Sequence, residues 1–272
     1  MSRNRAGPLS VLTWNVSYEP LRPPGVLPWT ERRNRMADVA RDADIVALQE
    51  LSCRQLSDLQ SRLPAFEVVT VRVPLPDPLR RALSSRYAVE LEREIGELAL
   101  LVRTARLTVI ELGHRWLSPT PEVSLSVGWG NAVPRLVLWT VVRDRGLGAR
   151  ALVATTHVDL RAVLPMVAAI RDALAEPVGR VGAGILLGDL NTNADPGAFD
   201  ALLTAGWRDT HPSRDISVDP TVLGDLAGRP GRIDHILVHG SAAGASWGYA
   251  SAADEGLSDH LAVRAEIRLM RE

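Results

Sequence analysis

The chain of 272 residues can form one large domain or two small ones, and its 46% of apolar residues can supply a sizeable core. The formal charge of −1, from 31 basic and 32 acidic residues, lacks the basic excess typical of proteins that bind nucleic acids through their phosphates. The one cysteine, Cys53, excludes an internal disulfide and a cysteine-based zinc site. No apolar stretch approaches the length of a transmembrane helix or follows the polar start as a signal sequence would, so we expect a cytoplasmic enzyme.

In the first part of the chain, apolar periodicity predicts alternating strands and helices. Strands are predicted over 11–14, 45–48 and 66–73, and helices over 30–41 and 79–94. Between them, a further helix begins after Ser52, where Gln55 stands three residues on and completes a capping box.

Strands outnumber helices in the rest of the chain. Further strands are predicted over 98–102, 107–112, 136–142, 151–155, 185–187, 233–238 and 261–269, and helices over 163–174 and 196–203, the second capped by Asp195. Consecutive strands between 98 and 156 favour antiparallel pairing, and few βαβ units follow one another. The predicted fold class is therefore α/β (α+β), with two mixed β-sheets packed face to face and helices outside.

Short apolar runs in this chain are followed by polar clusters. The clusters are Thr13-Trp14-Asn15, Leu48-Gln49-Glu50, Thr156-His157, Gly188-Asp189-Leu190-Asn191, Arg232-Ile233-Asp234 and Ser258-Asp259-His260. A strand that ends in Asn, Glu, His or Asp places oxygen and nitrogen ligands at one rim of a sheet. Several such rims together predict a site that holds a divalent metal and a phosphate.

Asp189 and Asn191 stand two apart, so their side chains point to the same side of an extended segment. The carboxylate can bind a metal or orient a water, and the amide can donate to a phosphate oxygen without adding charge. A turn with an Asx cap is the simpler interpretation of the same residues. The run from Asp189 to Asp200 also has calcium-loop spacing, but Ala194 replaces the required glycine and a strand precedes it, which excludes an EF-hand.

Two histidines are candidates for acid–base chemistry. A carboxylate bonded to one ring nitrogen fixes the tautomer and raises the basicity of the other nitrogen, so His260 with Asp234 is a candidate pair. His157 ends a strand in the same manner, and Glu97 is its candidate orienting partner. A histidine without a catalytic role and a surface glutamate at a strand start are the alternatives.

Glu50 and Asn15 each end a strand near the start of the chain. Magnesium prefers few carboxylates together with several waters and substrate phosphate, so Glu50 and Asn15, with Asp259, are candidate metal ligands. Alternatively, Glu50 is merely the polar start of a helix, where a negative charge is favoured.

Taken in order, the six clusters resemble those of the endonuclease/exonuclease/phosphatase superfamily, which includes DNase I-like nucleases, abasic-site endonucleases and inositol polyphosphate phosphatases. The resemblance covers about residues 9–269 and implies a single domain over 1–272. It also implies a four-layer α/β sandwich and magnesium-dependent phosphoester hydrolysis, with Mn²⁺ as an alternative cofactor.

The resemblance implies a role for each matching residue. The implied metal ligands are Glu50, Asn15 and Asp259. The residues implied to activate or position the attacking water are Asp189, His260 and its orienting partner Asp234. Those implied to bind phosphoryl oxygens are Asn191 and His157.

The segments 115–122 and 128–135 resemble a bacterial branch of the family with loosely assigned phosphoesterases. Glu97 falls where that branch carries an active-site glutamate, and Arg135 matches an arginine that can meet a phosphate. Other positions depart from the family pattern. They include Ser17 in place of an aspartate of DNA-repair relatives, Leu160 in place of a second histidine, and residues 221–224 in place of an aromatic loop. These positions surround the substrate pocket and leave the substrate open.

Three functions remain open. The near-neutral charge favours a phosphoesterase acting on a small phosphorylated molecule. The alternative is a DNA or RNA nuclease whose phosphate-tracking face consists of Arg80, Arg81, Arg86 and Arg93, although an ordinary solvated helix face explains these arginines equally well. A non-catalytic binding module of the same fold is the third. We expect a phosphorylated small molecule or a nucleic acid as the substrate, no membrane association, and no obligate protein partner.

Overall fold

The computed structural model describes residues 7–75, 77–87, 94–131, 133–193, 195–222, 231–250 and 256–270. In these ranges the strands are β1 (Leu9–Asn15), β2 (Ile45–Gln49), β3 (Phe66–Pro74), β4 (Glu94–Arg103), β5 (Leu107–Trp116), β6 (Leu136–Asp144), β7 (Arg150–His157), β8 (Ala183–Asp189), β9 (Arg208–Asp209), β10 (Asp234–Gly240), β11 (Ala242–Tyr249) and β12 (Val263–Leu269). The α-helices are α1 (Trp29–Arg41), α2 (Cys53–Arg62), α3 (Asp77–Tyr87), α4 (Val163–Val181) and α5 (Asp200–Thr204), and 3₁₀ turns span Glu19–Leu21 and Pro196–Phe199.

The strands form two six-stranded sheets that mix parallel and antiparallel neighbours. The first sheet has the order β11-β12-β1-β2-β4-β3, in which β1 and β2 are parallel. The second has the order β5-β6-β7-β8-β10-β9, in which β7 and β8 are parallel. The prediction of two mixed sheets is therefore confirmed.

Apolar side chains fill three interfaces and stack the chain in four layers. One buried cluster lies between the sheets and contains residues of both, such as Val11 and Val153. A second packs α4 on the second sheet through residues such as Ile170, and a third packs α1 on the first sheet through residues such as Met36. Strands β2 and β8 are buried throughout, and apolar up to their last residues Gln49 and Asp189, because a helix layer covers one face and the opposite sheet covers the other.

Helix α2 begins as predicted, with a capping box at Ser52. The Ser52 hydroxyl accepts the Gln55 backbone N–H at 3.0 Å, and Gln55 Oε1 accepts the Ser52 N–H at 3.0 Å. By contrast, the Asp195 side chain makes no cap hydrogen bond, and the helix predicted after it is divided into a 3₁₀ turn and α5.

The helix predicted over 79–94 is wrong at its end. It ends at Tyr87, residues 88–93 lie outside the described ranges, and Glu94 already belongs to β4. The pairing of β4 with β3 extends to Glu94 opposite Pro74, past a bulge between Val71 and Val73. This pairing is a tertiary contact, and it overrides a local preference for helix.

No helix in the described part of the chain is both long enough and apolar enough to cross a membrane.

Candidate active site

The first sheet brings three polar segments to one rim. Because β1 and β2 are parallel, Asn15 lies beside Gln49, and Glu50 follows at the same end. Strand β4 is antiparallel to β2 and begins at this end, where Leu98 pairs with Gln49. Glu97, the residue before Leu98, is thereby placed at the same rim.

The second sheet repeats this arrangement. The parallel pair β7 and β8 places His157 beside Asp189. Strand β10 is antiparallel to β8 and begins with Asp234 opposite Asp189. Arg135, just before β6, lies at the same end because β6 is antiparallel to β7 and Val137 pairs with Thr156.

A cavity of about 480 Å³ opens at this rim. Its described lining contains seven of the predicted site residues. They are Glu50, Arg135, His157, Asp189, Asn191, Asp259 and His260. The other three, Asn15, Glu97 and Asp234, are each at most 4% exposed. The structure therefore brings residues from the first strand to the last segment into one place.

Asp189 is the centre of the site. Its Oδ2 atom lies 3.3 Å from Asn15 Nδ2, 3.6 Å from His157 Nε2 and 3.9 Å from His260 Nε2. Burial raises the pKa of Asp189 to about 7, and the nearby charge of Asp234 adds to this rise. Asp189 is thus a carboxyl group that can exchange a proton near neutral pH.

His260 is held by a carboxylate. Its Nδ1 lies 2.8 Å from Asp234 Oδ2, which also accepts the Thr221 hydroxyl at 2.7 Å. Burial lowers the pKa of His260, but the charge and hydrogen bond of Asp234, with the charges of Asp189 and Asp259, outweigh burial and raise the pKa to about 10. His260 is therefore an imidazolium at neutral pH in the metal-free protein, and its Nε2 remains available for a water or a substrate.

His157 differs from His260 in its charge. Arg135 Nη1 lies 3.0 Å from His157 Nδ1, and because a guanidinium can only donate, Nδ1 accepts and Nε2 carries the hydrogen. Burial, together with the positive charges of Arg135 and His260, holds the pKa of His157 well below its usual range. His157 is thus a neutral donor whose Nε2 lies 3.8 Å from Glu50 Oε1.

Glu97 reaches His157 through Arg135 rather than directly. Glu97 Oε1 lies 3.8 Å from His157 Nδ1, beyond hydrogen-bond distance, whereas it pairs with Arg135 Nη1. Glu97 therefore does not contact His157 as expected. Its carboxylate pairs with the Arg135 guanidinium, which in turn contacts the His157 imidazole. Burial lowers the pKa of Arg135.

Asn191 combines the two alternatives that its sequence leaves open. Its backbone N–H donates to Asp189 Oδ1 at 3.0 Å, which is an Asx-type turn, and its φ of +49° is in the left-handed region. Its Nδ2 donates to the Val158 carbonyl at 2.6 Å. Because the amide carries two hydrogens, one remains for an oxygen in the cavity.

Glu50 adopts a left-handed conformation with a φ of +57°, which costs a residue with a Cβ about 1–2 kcal/mol. Its Oε2 accepts the Tyr18 N–H at 3.3 Å, and its side chain is 36% exposed. Asn15 Oδ1 accepts the N–H of Ser17 at 3.1 Å. Strain of this kind is typical of functional positions, and here it presents a carboxylate to the cavity.

A second set of ligand atoms lies close enough together to hold a cation. Asp189, Asp234 and His260 each offer one atom, and these atoms lie within 4.8 Å of one another. Asp234 Oδ1 is buried and has no hydrogen-bond partner in the described part of the chain, as a metal ligand atom without its metal would be. An imidazolium cannot bind a metal, so this set requires His260 to lose a proton, whereas Glu50 with Asn15 requires no such loss.

Three contacts that position the site cannot be predicted from the sequence patterns. Trp14 Nε1 donates to the His260 carbonyl at 3.0 Å, and the Ser258 hydroxyl donates to the Asn15 carbonyl at 2.7 Å. These two contacts fasten the last segment to the rim, and the hydrogen bond from Thr221 holds Asp234. Trp14 and Ser258 stand inside the polar clusters, but their partners are too distant in sequence for any local pattern to indicate them.

The chain is thus a two-sheet α/β sandwich with carboxylates and imidazoles at one rim. The sequence pattern of the Endonuclease/Exonuclease/phosphatase family matches residues 12–260. The chain belongs to this family, as predicted. A comparison with curated proteins found no match.

Solved structures agree with this assignment. An endonuclease/exonuclease/phosphatase from Bacteroides vulgatus is 22% identical, with a TM-score of 0.76, and 96% of this chain and 99% of that chain are covered. The mannosyl-6-phosphatase of Bacteroides thetaiotaomicron is 23% identical over 95% of this chain and 99% of that chain, with a TM-score of 0.73. The human Nocturnin catalytic domain, with a bound sulfate anion, is 16% identical over 98% and 95%, with a TM-score of 0.74. At these identities the likeness shows the fold.

Proposed function

We propose that this protein is a metal-dependent phosphoesterase that hydrolyses a phosphomonoester or phosphodiester of a small molecule. The observation that carries this proposal is the convergence of Glu50, His157, Asp189 and the His260–Asp234 pair on one cavity. Ester hydrolysis at phosphorus needs carboxylates for a cation, donors for the phosphoryl oxygens and an acid–base pair. These residues provide all three.

His157 and Asn191 are the donors to the phosphoryl oxygens. His157 presents its Nε2–H because Arg135 occupies Nδ1, and Asn191 presents its second amide hydrogen because Val158 accepts the first. Both donors are neutral and held in place, so they favour the negative charge that grows on these oxygens in the transition state. Arg135 adds a positive charge behind them.

Asp189 and His260 act together on the attacking water. The His260 imidazolium donates from Nε2 to the water oxygen and positions it, and the Asp189 carboxylate accepts the water's proton. The 3.9 Å between Asp189 Oδ2 and His260 Nε2 is too long for a direct hydrogen bond and suits a bridging water. The water oxygen bonds to phosphorus while the ester P–O bond breaks. The water's proton passes to the Asp189 carboxylate, and the leaving oxygen of the alcohol takes a proton from solvent.

Glu50, with Asn15 and Asp259, would hold Mg²⁺, for which Mn²⁺ is an alternative. Oxygen donors of this kind suit a hard cation, and the exposed part of Glu50 leaves room for waters and substrate phosphate. When bound, the cation would compensate negative charge on the phosphate and the leaving oxygen.

A nuclease is the second candidate, because Arg81 and Arg86 lie exposed on α3. Arg80 on the same helix pairs with Asp77 at 3.4 Å, and Arg93 lies outside the described residues. The net charge of −1 counts against a protein that depends on tracking phosphates. The complete set of site residues counts against a non-catalytic module.

The test offers mannose 6-phosphate, p-nitrophenyl phosphate, bis(p-nitrophenyl) phosphate and supercoiled plasmid to the purified protein with Mg²⁺ or with a chelator. We expect hydrolysis of a small ester with Mg²⁺ and none with the chelator. His260→Ala should lower kcat/KM by about 10²–10⁴-fold, because the acid–base pair is lost. His114→Ala, a half-buried histidine on β5 outside the cavity lining, is the matched control.

Turnover that is independent of metal, or a His260→Ala variant as active as the control, would overturn this mechanism. Plasmid cleavage that falls steeply with salt, without turnover of the small esters, would assign the protein to the nucleases. A cytoplasmic location stays a prediction, which cell fractionation tests.

A further inference from the structure

A second pocket, of about 200 Å³, adjoins the catalytic cavity. The two share Glu50, Arg135 and His157 in their linings. A phosphoryl group bound at His157 would therefore face the second pocket with one of its ester substituents. This step rests on the proposed function.

The rest of this pocket is largely apolar. Its described apolar lining comes from separate segments and consists of Leu21, Leu75, Leu83, Ile95 and Val133. Leu51, which follows β2, also lines it. Leu75 is 8% exposed, and the other four remain partly exposed. These apolar side chains come from distant segments and still face solvent. An apolar ligand that covers them removes apolar surface from water, and this favours its binding.

Two of the three charged residues in the described lining of this pocket are paired, and the third, Glu50, lies on the side shared with the catalytic cavity. Glu97 and Arg135 form an ion pair, and Arg135 also contacts His157. The wall beside the apolar residues thus carries little uncompensated charge. A polyol or a second phosphate would lose hydration here without finding matched partners, whereas an apolar group would not.

We propose that this pocket selects phosphoesters of apolar alcohols, with an aryl ring or an alkyl chain of about six carbons beside the phosphate. The size agrees, since an apolar cavity of about 150 Å³ accepts a benzene ring and this pocket offers about 200 Å³. The apolar group lies against Leu83 and Val133, and the phosphate lies against the residues shared with the catalytic cavity.

The test measures kcat/KM for ethyl, butyl and hexyl phosphates and for their methyl diesters, which differ little in leaving-group chemistry. Each methylene that is fully buried should raise kcat/KM about fourfold. Leu83→Gln and Val133→Thr place a polar group in the pocket and should flatten this increase. Leu112→Gln, at a leucine on β5 that is 66% exposed, is the matched control and should retain it.

Binding of methylphosphonate and hexylphosphonate, measured by calorimetry with Mg²⁺, separates this inference from the proposed function. Hexylphosphonate should bind at least about tenfold more tightly, and Leu83→Gln should remove the difference. If kcat/KM for the esters does not depend on chain length, the proposed apolar selectivity is wrong, whereas the proposed phosphoesterase activity is supported. Tight hexylphosphonate binding without hydrolysis of any ester would support the pocket and overturn the proposed function. If no ester is hydrolysed and hexylphosphonate binds no more tightly than methylphosphonate, both the proposed function and the apolar selectivity are overturned.

Discussion

At the scale of single residues, the site depends on two histidines that lie near Asp189 and differ in charge. His157 is kept neutral by burial and by Arg135, whereas His260 is kept protonated by Asp234. The first can donate to a phosphate without adding charge, and the second can exchange a proton with water. The difference arises from their neighbours, a guanidinium in one case and a carboxylate in the other.

This difference predicts a distinct pH titration of each histidine. In metal-free protein with chelator, the His260 ring resonances should titrate near pH 10, and those of His157 should not titrate above pH 7. Asp234→Asn removes the charge that raises the pKa of His260, so His260 should then titrate at a clearly lower pH. Proton NMR of the ring resonances measures this, and a titration unchanged by Asp234→Asn would contradict the assignment.

The raised pKa of His260 also makes the stability of the fold depend on pH. Because the pKa of His260 is higher in the folded state than the ordinary value of 6.5, its pairing with Asp234 stabilises the fold fully below about pH 6.5. This contribution disappears as the pH rises through about 10. Asp234→Asn should therefore lower the free energy of unfolding more at neutral pH than at high pH, which urea titrations at several pH values would measure.

The sequence predicts which residues gather at the rim better than it predicts their contacts there. Glu50, His157 and Asp189 can be found because each ends an apolar strand, which is a local pattern. The pairing of Glu97 with Arg135 cannot, because the two lie in different sheets and meet only when the sheets pack. The neutral state of His157 follows from that packing and is equally invisible in the sequence.

At the scale of elements, the capping box at Ser52 fixes the start of α2 just after Glu50. Ser52→Ala should lower the free energy of unfolding by about 1 kcal/mol, because the Gln55 N–H loses its acceptor. Ser57→Ala, at an exposed position within the same helix, is the matched control and should be neutral or slightly stabilising. Urea unfolding measures both, and equal effects of the two substitutions would exclude a special role for the cap.

Elements with strong local signals are predicted well, and those that depend on pairing are not. The capping box and the apolar runs of β2 and β8 are visible in the sequence because each needs only neighbouring residues. Strand β11 is not predicted, because most of its sequence is Ala, Gly and Ser, and its only large side chains, Trp247 and Tyr249, stand at its end. It is a strand because β12 offers it a partner.

At the scale of the whole molecule, the core between the two sheets contains residues of both and lies directly beneath the rim that carries the site. We propose that residues 9–269 form one domain. Unfolding by urea should then give coincident transitions by tryptophan fluorescence, far-UV circular dichroism and loss of activity, since neither sheet can keep its inner face buried alone. Two separate transitions would show that the sheets fold as independent units.

The pairing of β1 with β12 also means that the first sheet is completed only near the end of synthesis. Translation delivers Glu50, His157 and Asp189 well before it delivers His260 and the strand that follows. A chain still attached to the ribosome therefore holds several residues of the rim but lacks His260 and one neighbour of its first strand. Stalled or prematurely terminated products consequently lack a complete rim.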